Sequence, residues 1–415
     1  MMSARWLLVF AILTLIATLV AGLRRREVPV RANIPLWLLG FPVTELTAIV
    51  AALQALVVLC FASFGALGEP VGALGMTLML LAWGRMYQLH RLARQSGPVL
   101  QRALDEGLGG DFREAIPAGR RVSGTPEITL STFFRPFRFS RPGVIHEADI
   151  AYGDAGERNL LDIYRPASTP AAPCPVLLQV HGGGWTVGHK QEQAQPLMYC
   201  MARRGWVCVA INYRLSPQFH FPAHIIDVKK AIAWVREHIA GYGGDPGYIA
   251  ITGGSAGGHL TALAALSAND PAYQGGFEDV DTRVAAAIPF YGVYDFLEHE
   301  GQPLNRSMKR HLETKVIGCT PKENPELWRQ ASPVERIRAD APPFMVIQGE
   351  CDTMVSRAAA EHFSRQLCAV SAQPVVFAGL PGAHHAFDIP NSVRTEHTIW
   401  QVAQFLEWAY ARRGQ

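Results

Sequence analysis

The chain has 415 residues, a formal net charge of +3, and 18% charged against 49% hydrophobic residues. That length exceeds one ordinary domain, and the near-neutral balance excludes a nucleic-acid footprint for the protein as a whole. Seven cysteines with no C-x-x-C pair and no zinc spacing give neither a disulfide framework nor a metal site, and reduced thiols in a cytoplasmic domain are the simpler expectation.

In chain order, the first feature is an uncharged apolar run from residue 6 to residue 23, and a second follows from 46 to 68. Each is long enough to cross a bilayer as a helix, which takes about 20 residues. A third run, Pro70 to Trp83, is shorter and suits either a third span or an interfacial helix. A secretory signal peptide is the rival reading of the first run, but Arg24, Arg25 and Arg26 and a second long apolar run follow it directly. With three spans, Arg24–Arg26, Arg31, Arg85, Arg91 and Arg94 fall on one side and the Glu69-Pro70 turn on the other. The positive-inside rule then turns the rest of the chain toward the cytoplasm. Residues 1–95 are therefore expected to form a multi-pass membrane region of two or three helices.

Residues 96–144 read as a basic connector or cap element. From Arg85 to Arg141 there are 10 Arg against 5 Asp and Glu. The stretch FFRPFRFSRP, residues 133–142, alternates arginine with phenylalanine, a composition for resting on anionic headgroups or for a solvated linker.

From residue 145 to 415 short Val- and Ile-rich runs alternate with amphipathic helices. HEADIAYG, NLLDIYRP, PVLLQVHGGG, WVCVAINYRL, YIAITGGS, AAAIPFYG, PPFMVIQGE and PVVFAGLPG read as strands. Helices are expected at about 221–240, from Ala256, and near 393–412. This is the α/β pattern of a doubly wound, mostly parallel sheet, whose functional residues gather at the carboxyl ends of strands. The long polar span 292–340 is a candidate cap over such a site.

Two glycine clusters fall at strand ends. In ITGGSAGGHL, residues 251–260, Gly253-Gly254-Ser255-Ala256-Gly257 fits G-x-S-x-G between a strand and a helix, as a nucleophile elbow requires. In VHGGGWTVGHK, residues 180–190, Gly183 and Gly188 have phosphate-loop spacing, but His189 stands where the lysine must be. Backbone N–H donors for a developing oxyanion need no such lysine, and glycines supply them with no Cβ in the way. Gly183, Gly184 and Ala256 are the expected donors, with His181, Gly182 and Trp185 supporting the loop. A serine nucleophile also needs a base and an orienting carboxylate, in the chain order serine, acid, histidine for this architecture. GECDTMV, residues 349–355, offers Glu350 or Asp352, and LPGAHHAFD, residues 380–388, offers His384 or His385. Trp185, Phe290 and Tyr291 are candidates for the pocket wall, or for plain core packing.

Together with LDIYRP (161–166), INYRLSP (211–217) and FPAHIIDVKKAIAWV (221–235), these motifs resemble the α/β-hydrolase superfamily, within it the hormone-sensitive-lipase-like and bacterial feruloyl-esterase-like group. The resemblance covers about residues 145–412. It implies a serine carboxylesterase with the triad Ser255, Asp352 and His385, no cofactor and no metal. One departure is Gly254, where the lipase-like group proper usually has Asp; the feruloyl-esterase-like and formamidase-like branch is closer. The expected activity is therefore that of a membrane-anchored serine carboxylesterase acting on small apolar esters, with the bilayer as its other partner. Arylformamidase-like and prenylcysteine methylesterase-like hydrolases are the alternatives, and a catalytically silent binding protein on the same scaffold is the rival from another class.

Overall fold

A computed structural model describes residues 2–22, 30–168, 172–299, 304 and 306–414. Arg24–Arg26 of the expected basic loop lie outside these residues, and for Arg31 only the backbone is described.

Eight strands form one sheet: β1 (Val144–Ala151), β2 (Leu160–Pro166), β3 (Cys174–Val180), β4 (Val207–Ile211), β5 (Gly244–Gly254), β6 (Ala286–Phe290), β7 (Phe344–Gly349) and β8 (Val375–Leu380). Their order is β1-β2-β4-β3-β5-β6-β7-β8; β2 runs antiparallel to β1 and β4, and the other pairs are parallel. The central strands are apolar on both faces, as a sheet covered on both sides requires. Alternation divides them between two cores. In β4, Val207, Val209 and Ile211 join the apolar cluster beneath helices Ala223–His238, Ala256–Leu266 and Arg357–Val370. Cys208 and Ala210 join the opposite cluster beneath helices Gln195–Arg203 and Val393–Ala411.

The N-terminal helices are α1 (Met2–Ala21), α2 (Val30–Glu45), α3 (Thr47–Ser63), α4 (Pro70–Arg94) and α5 (Ser96–Leu108). Among the described residues α1 alone is long and apolar enough to cross a membrane as one straight helix. The second apolar run is not one helix from 46 to 68. It is α3, which meets Ile34–Glu45 of α2 at a bend of 94° and stops at Ser63. Pro35 and Pro42 lie inside α2, and proline weakens a helix by removing a donor and crowding the preceding turn. Gly65, at φ +73°, redirects the chain after α3. The third run extends well past Trp83, carrying α4 on to Arg94.

α1 buries Ala4, Leu7, Ala11, Thr14, Thr18 and Ala21, and α4 buries Gly72, Gly75, Met79, Ala82, Met86, Leu89 and Ala93. Both series step by three and four residues, the spacing of a coiled-coil seam. Small residues let the backbones close: a Cβ on Gly75 would lie 3.1 Å from Leu7 Cγ, and one on Gly72 would lie 3.4 Å from Ala4 Cβ. Because residues 4 and 7 match 72 and 75, and Gly22 matches Arg85, α1 and α4 run parallel. α5, in the segment read as a connector, packs on β8: Leu100 and Leu104 are buried among Val376, Ala378 and Leu380.

Candidate active site

β5 ends in Gly254, and Ser255 sits at φ +59°, ψ −119° before the helix Ala256–Leu266 begins. Such a backbone is costly for any residue with a Cβ and is kept only where the surroundings impose it. The glycines around it answer for the space. A Cβ on Gly257 would stand 2.0 Å from Val180 O, and one on Gly253 would stand 2.5 Å from the same atom.

The structure brings Ser255, His385 and Asp352 into one line. His385 Nε2 lies 2.9 Å from Ser255 Oγ, and its Nδ1 lies 2.8 Å from Asp352 Oδ2. With Nδ1 donating to the carboxylate, Nε2 is left to accept the serine proton. Asp352 is buried and held on both oxygens. Oδ1 accepts from the Met354 and Val355 N–H groups at 2.8 and 2.9 Å, and Oδ2 accepts from Gln348 Nε2 at 3.0 Å. The two neighbours that competed in the sequence point elsewhere. Glu350 accepts from Arg357 Nη1 at 2.9 Å, and His384 Nε2 donates to Ala21 O, at the end of α1, at 3.0 Å.

The β3 loop lies against the serine. A Cβ on Gly182 would be 2.5 Å from Gly254 O and 3.0 Å from Ser255 Cβ. Gly183 has φ +115° and Gly184 φ +58°, and the Gly183 carbonyl closes a turn by accepting from the Thr186 and Val187 N–H groups, each at 3.1 Å. Among the described residues none accepts a hydrogen bond from the N–H of Gly183, Gly184 or Ala256. His181 is fully buried, stacked on Tyr213 with ring centroids 4.4 Å apart, and burial pulls its pKa down to about 4. It is neutral, and its Nδ1 lies 2.7 Å from Gly182 O, so it braces the loop.

Trp185 is buried, its indole N–H donating to His259 Nδ1 at 3.2 Å. Phe290 and Tyr291 are buried too, in the core behind the site. Tyr291 packs on the His385 ring, with centroids 4.7 Å apart, and its hydroxyl donates to the buried Asp388, whose pKa burial raises. That hydroxyl explains Gly254: a Cβ there would lie 2.6 Å from it. From the 292–340 span, His311 Nε2 donates to Gly184 O at 2.8 Å, and Leu312, Val316 and Trp328 anchor the segment in the core.

Sequence reasoning missed Trp37, Gln193, His311, Gln348 and Asp388. Gln193 Oε1 accepts from the Gly182 N–H at 2.7 Å, and Trp37 Nε1 donates to His385 O at 2.8 Å. Trp37 and His311 reach the site from distant parts of the chain, whereas Gln193, Gln348 and Asp388 lie close in sequence to other residues of the site but outside any motif that marks them.

The BD-FAE family model matches residues 161–367. A protein of Mycobacterium tuberculosis named "Probable carboxylic ester hydrolase LipM" is 45% identical over 90% of this chain and 86% of its own. "Esterase LipQ" of the same organism is 47% identical over 77% of this chain and 76% of its own. The butyrate-bound structure of esterase Est2 from Thermogutta terrifontis superposes with a TM-score of 0.52 at 26% identity, covering 64% of this chain and 92% of that one. The chain is an α/β-hydrolase and belongs to the esterase family of LipM and LipQ, the carboxylic ester hydrolases.

Proposed function

We propose that the chain is a membrane-anchored serine carboxylesterase that cleaves apolar esters through an acyl-enzyme. The observation that carries the mechanism is the continuous line from Asp352 through His385 to Ser255 Oγ, at 2.8 and 2.9 Å. Ser255 Oγ attacks the ester carbonyl as its proton passes to His385 Nε2, and Asp352 stabilises the imidazolium through Nδ1–H. The carbonyl oxygen becomes an oxyanion facing the Gly183, Gly184 and Ala256 N–H groups. When the tetrahedral intermediate collapses, the C–O bond to the alcohol breaks and the leaving alkoxide takes the proton from Nε2. Water, deprotonated by the same nitrogen, then hydrolyses the acyl-serine.

Anchoring rests on what the N-terminal helices leave outside. Trp6, Leu13 and Leu19 of α1, Leu53, Leu56 and Leu59 of α3, and Leu80 and Leu81 of α4 are exposed, a larger apolar face than a water-facing surface carries. We place this face in the bilayer with the arginine clusters and the catalytic domain on the cytoplasmic side, and Leu130, Phe134 and Phe137, also exposed, at the headgroup level. Purified wild type and Ser255→Ala, tested on a chain-length series of p-nitrophenyl esters with a fluorophosphonate probe, check the chemistry. Turnover and labelling should both vanish in the variant. Labelling of the wild type without ester turnover would sink the carboxylester reading.

A further inference from the structure

The loop bearing His385 is held from two sides. Within the catalytic domain, Ala383 O accepts from the Cys351 N–H at 2.9 Å, Ala386 O from the Ile389 N–H at 3.2 Å and Phe387 O from Thr395 Oγ1 at 3.1 Å. His385 O accepts instead from the Trp37 indole of α2, at 2.8 Å. The His384 side chain crosses the same seam to Ala21 O of α1, at 3.0 Å, and supplies a donor to a helix end that has spare carbonyls. A Cβ on Gly40 would lie 2.7 Å from the His384 ring, so α2 approaches the loop as closely as glycine permits. Glu45, at the end of α2, forms a wholly buried ion pair with Arg394 at 2.9 Å and accepts from Ser392 Oγ at 3.0 Å. Arg394 in turn donates to Pro381 O, just ahead of the loop. Ala386, next to the histidine, has φ +62°, a backbone state that is costly for a residue with a Cβ and persists only where the surroundings hold it.

We propose that the N-terminal helical region positions the catalytic histidine, with Trp37 as the positioning residue that fixes the His385 backbone while Asp352 fixes its ring. The inference rests on the serine-esterase reading and adds to it. The membrane region is then part of the catalytic apparatus as well as an anchor, so that disturbing α2 displaces Nε2 from Ser255 Oγ. Trp37 is half-buried between the regions and touches neither Ser255 nor Asp352 through any hydrogen bond described, so its effect passes through the loop.

The test uses the full chain in detergent micelles with p-nitrophenyl butyrate. Trp37→Phe keeps an aromatic ring but removes the donor. It should lower kcat about tenfold, since small misplacements of a reacting group are costly, with KM within about twofold, because substrate binding is not what the bond serves. The rate of fluorophosphonate labelling should fall by the same factor, while the thermal midpoint moves little. A kcat within about twofold of wild type overturns the proposal. His384→Leu and His384→Gln give a second route should Trp37→Phe fail to fold: glutamine can still donate to Ala21 O and should recover most of the kcat that leucine loses. Equal kcat in the two His384 variants also counts against the proposal. A wild type without turnover or labelling would sink the esterase reading itself, a result distinct from either of these.

Discussion

The N-terminal helices and the catalytic domain use the same apolar residue types in opposite ways. In β3 every residue from Cys174 to Val180 is buried, and leucine is core. Leu13 and Leu19 of α1 and Leu53, Leu56 and Leu59 of α3 face outward, and small residues, Ala, Gly and Thr, predominate in the seam between α1 and α4. Water drives large side chains inward; where hydrocarbon surrounds the protein that drive disappears, and close backbone approach decides what lies inside. On the proposed anchoring, the apolar fraction of this chain reflects two solvents, and the seam between the two regions is bridged by polar contacts. Glu45, Arg394, His384 and Trp37 all lie there.

The sharpest break in the catalytic half is at the carboxylate. Asp352→Asn cannot hold the imidazole in its accepting tautomer and should lower kcat by about 10⁴ with the fold intact, read by steady-state kinetics beside circular dichroism. A loss under tenfold would mean that another group orients His385, and Asp388 through Tyr291 would be the one to examine. At the seam, Glu45→Ala leaves Arg394 buried without its anion. A loss of about 3–5 kcal/mol is expected, measured by urea unfolding in micelles, and a change below about 1 kcal/mol would mean that water reaches the guanidinium. In the soluble core, Leu178→Ala, at a residue fully buried in β3, should cost about 2–5 kcal/mol.

Protonation separates the halves more gently, because among the described residues the buried histidines lie in the catalytic domain. Burial pulls His224 down to about 3, and His181 and His259 to about 4. Each stays neutral in the fold below pH 6.5 while the unfolded chain takes up a proton, so the folded state loses stability as pH falls from about 6.5 toward those values. Glu396, pushed up to about 7 by burial, keeps its proton longer than an unfolded glutamate and opposes this trend. His224→Gln should therefore flatten the acid limb of the stability curve by about 1.4 kcal/mol per pH unit. An unchanged slope from pH 6.5 to 4 would show that His224 is hydrated.

Much of the catalytic half was legible because its signals are local. The elbow glycines, the β3 glycine run and the strand alternation each sit within about ten residues, and the structure places Ser255, Gly182–Gly184 and Ala256 at one sheet edge. The choice between His384 and His385 was not legible from the residues alone. Both are buried, and what separates them is that one faces β5 and the other α1. The second apolar run failed as one straight helix for a similar reason. Its composition reads as continuous, whereas Pro42 and Gly65 lie near its ends and the bend at Leu46 sits beside the ion pair of Glu45 with Arg394, on a helix far along the chain. Trp37 and His311 had no signal, since a single side chain reaching across the fold leaves no periodicity.

The smallest expected effect is the most direct test of the contrast between the halves. Leu56→Ala, on the outward face of α3 where the leucine is 63% exposed, removes the same atoms as Leu178→Ala. In micelles it should change unfolding by less than about 0.5 kcal/mol, because detergent tails replace one apolar surface with another. If Leu56→Ala instead costs as much as Leu178→Ala, the outward face of α3 is packed against protein. A second copy of this chain would be the nearest source of such a surface, and cross-linking in micelles would detect it. If the two leucines differ as expected, the seam at Trp37 and Glu45 marks where the chain passes from one solvent to the other, and the histidine of the triad is held at that boundary.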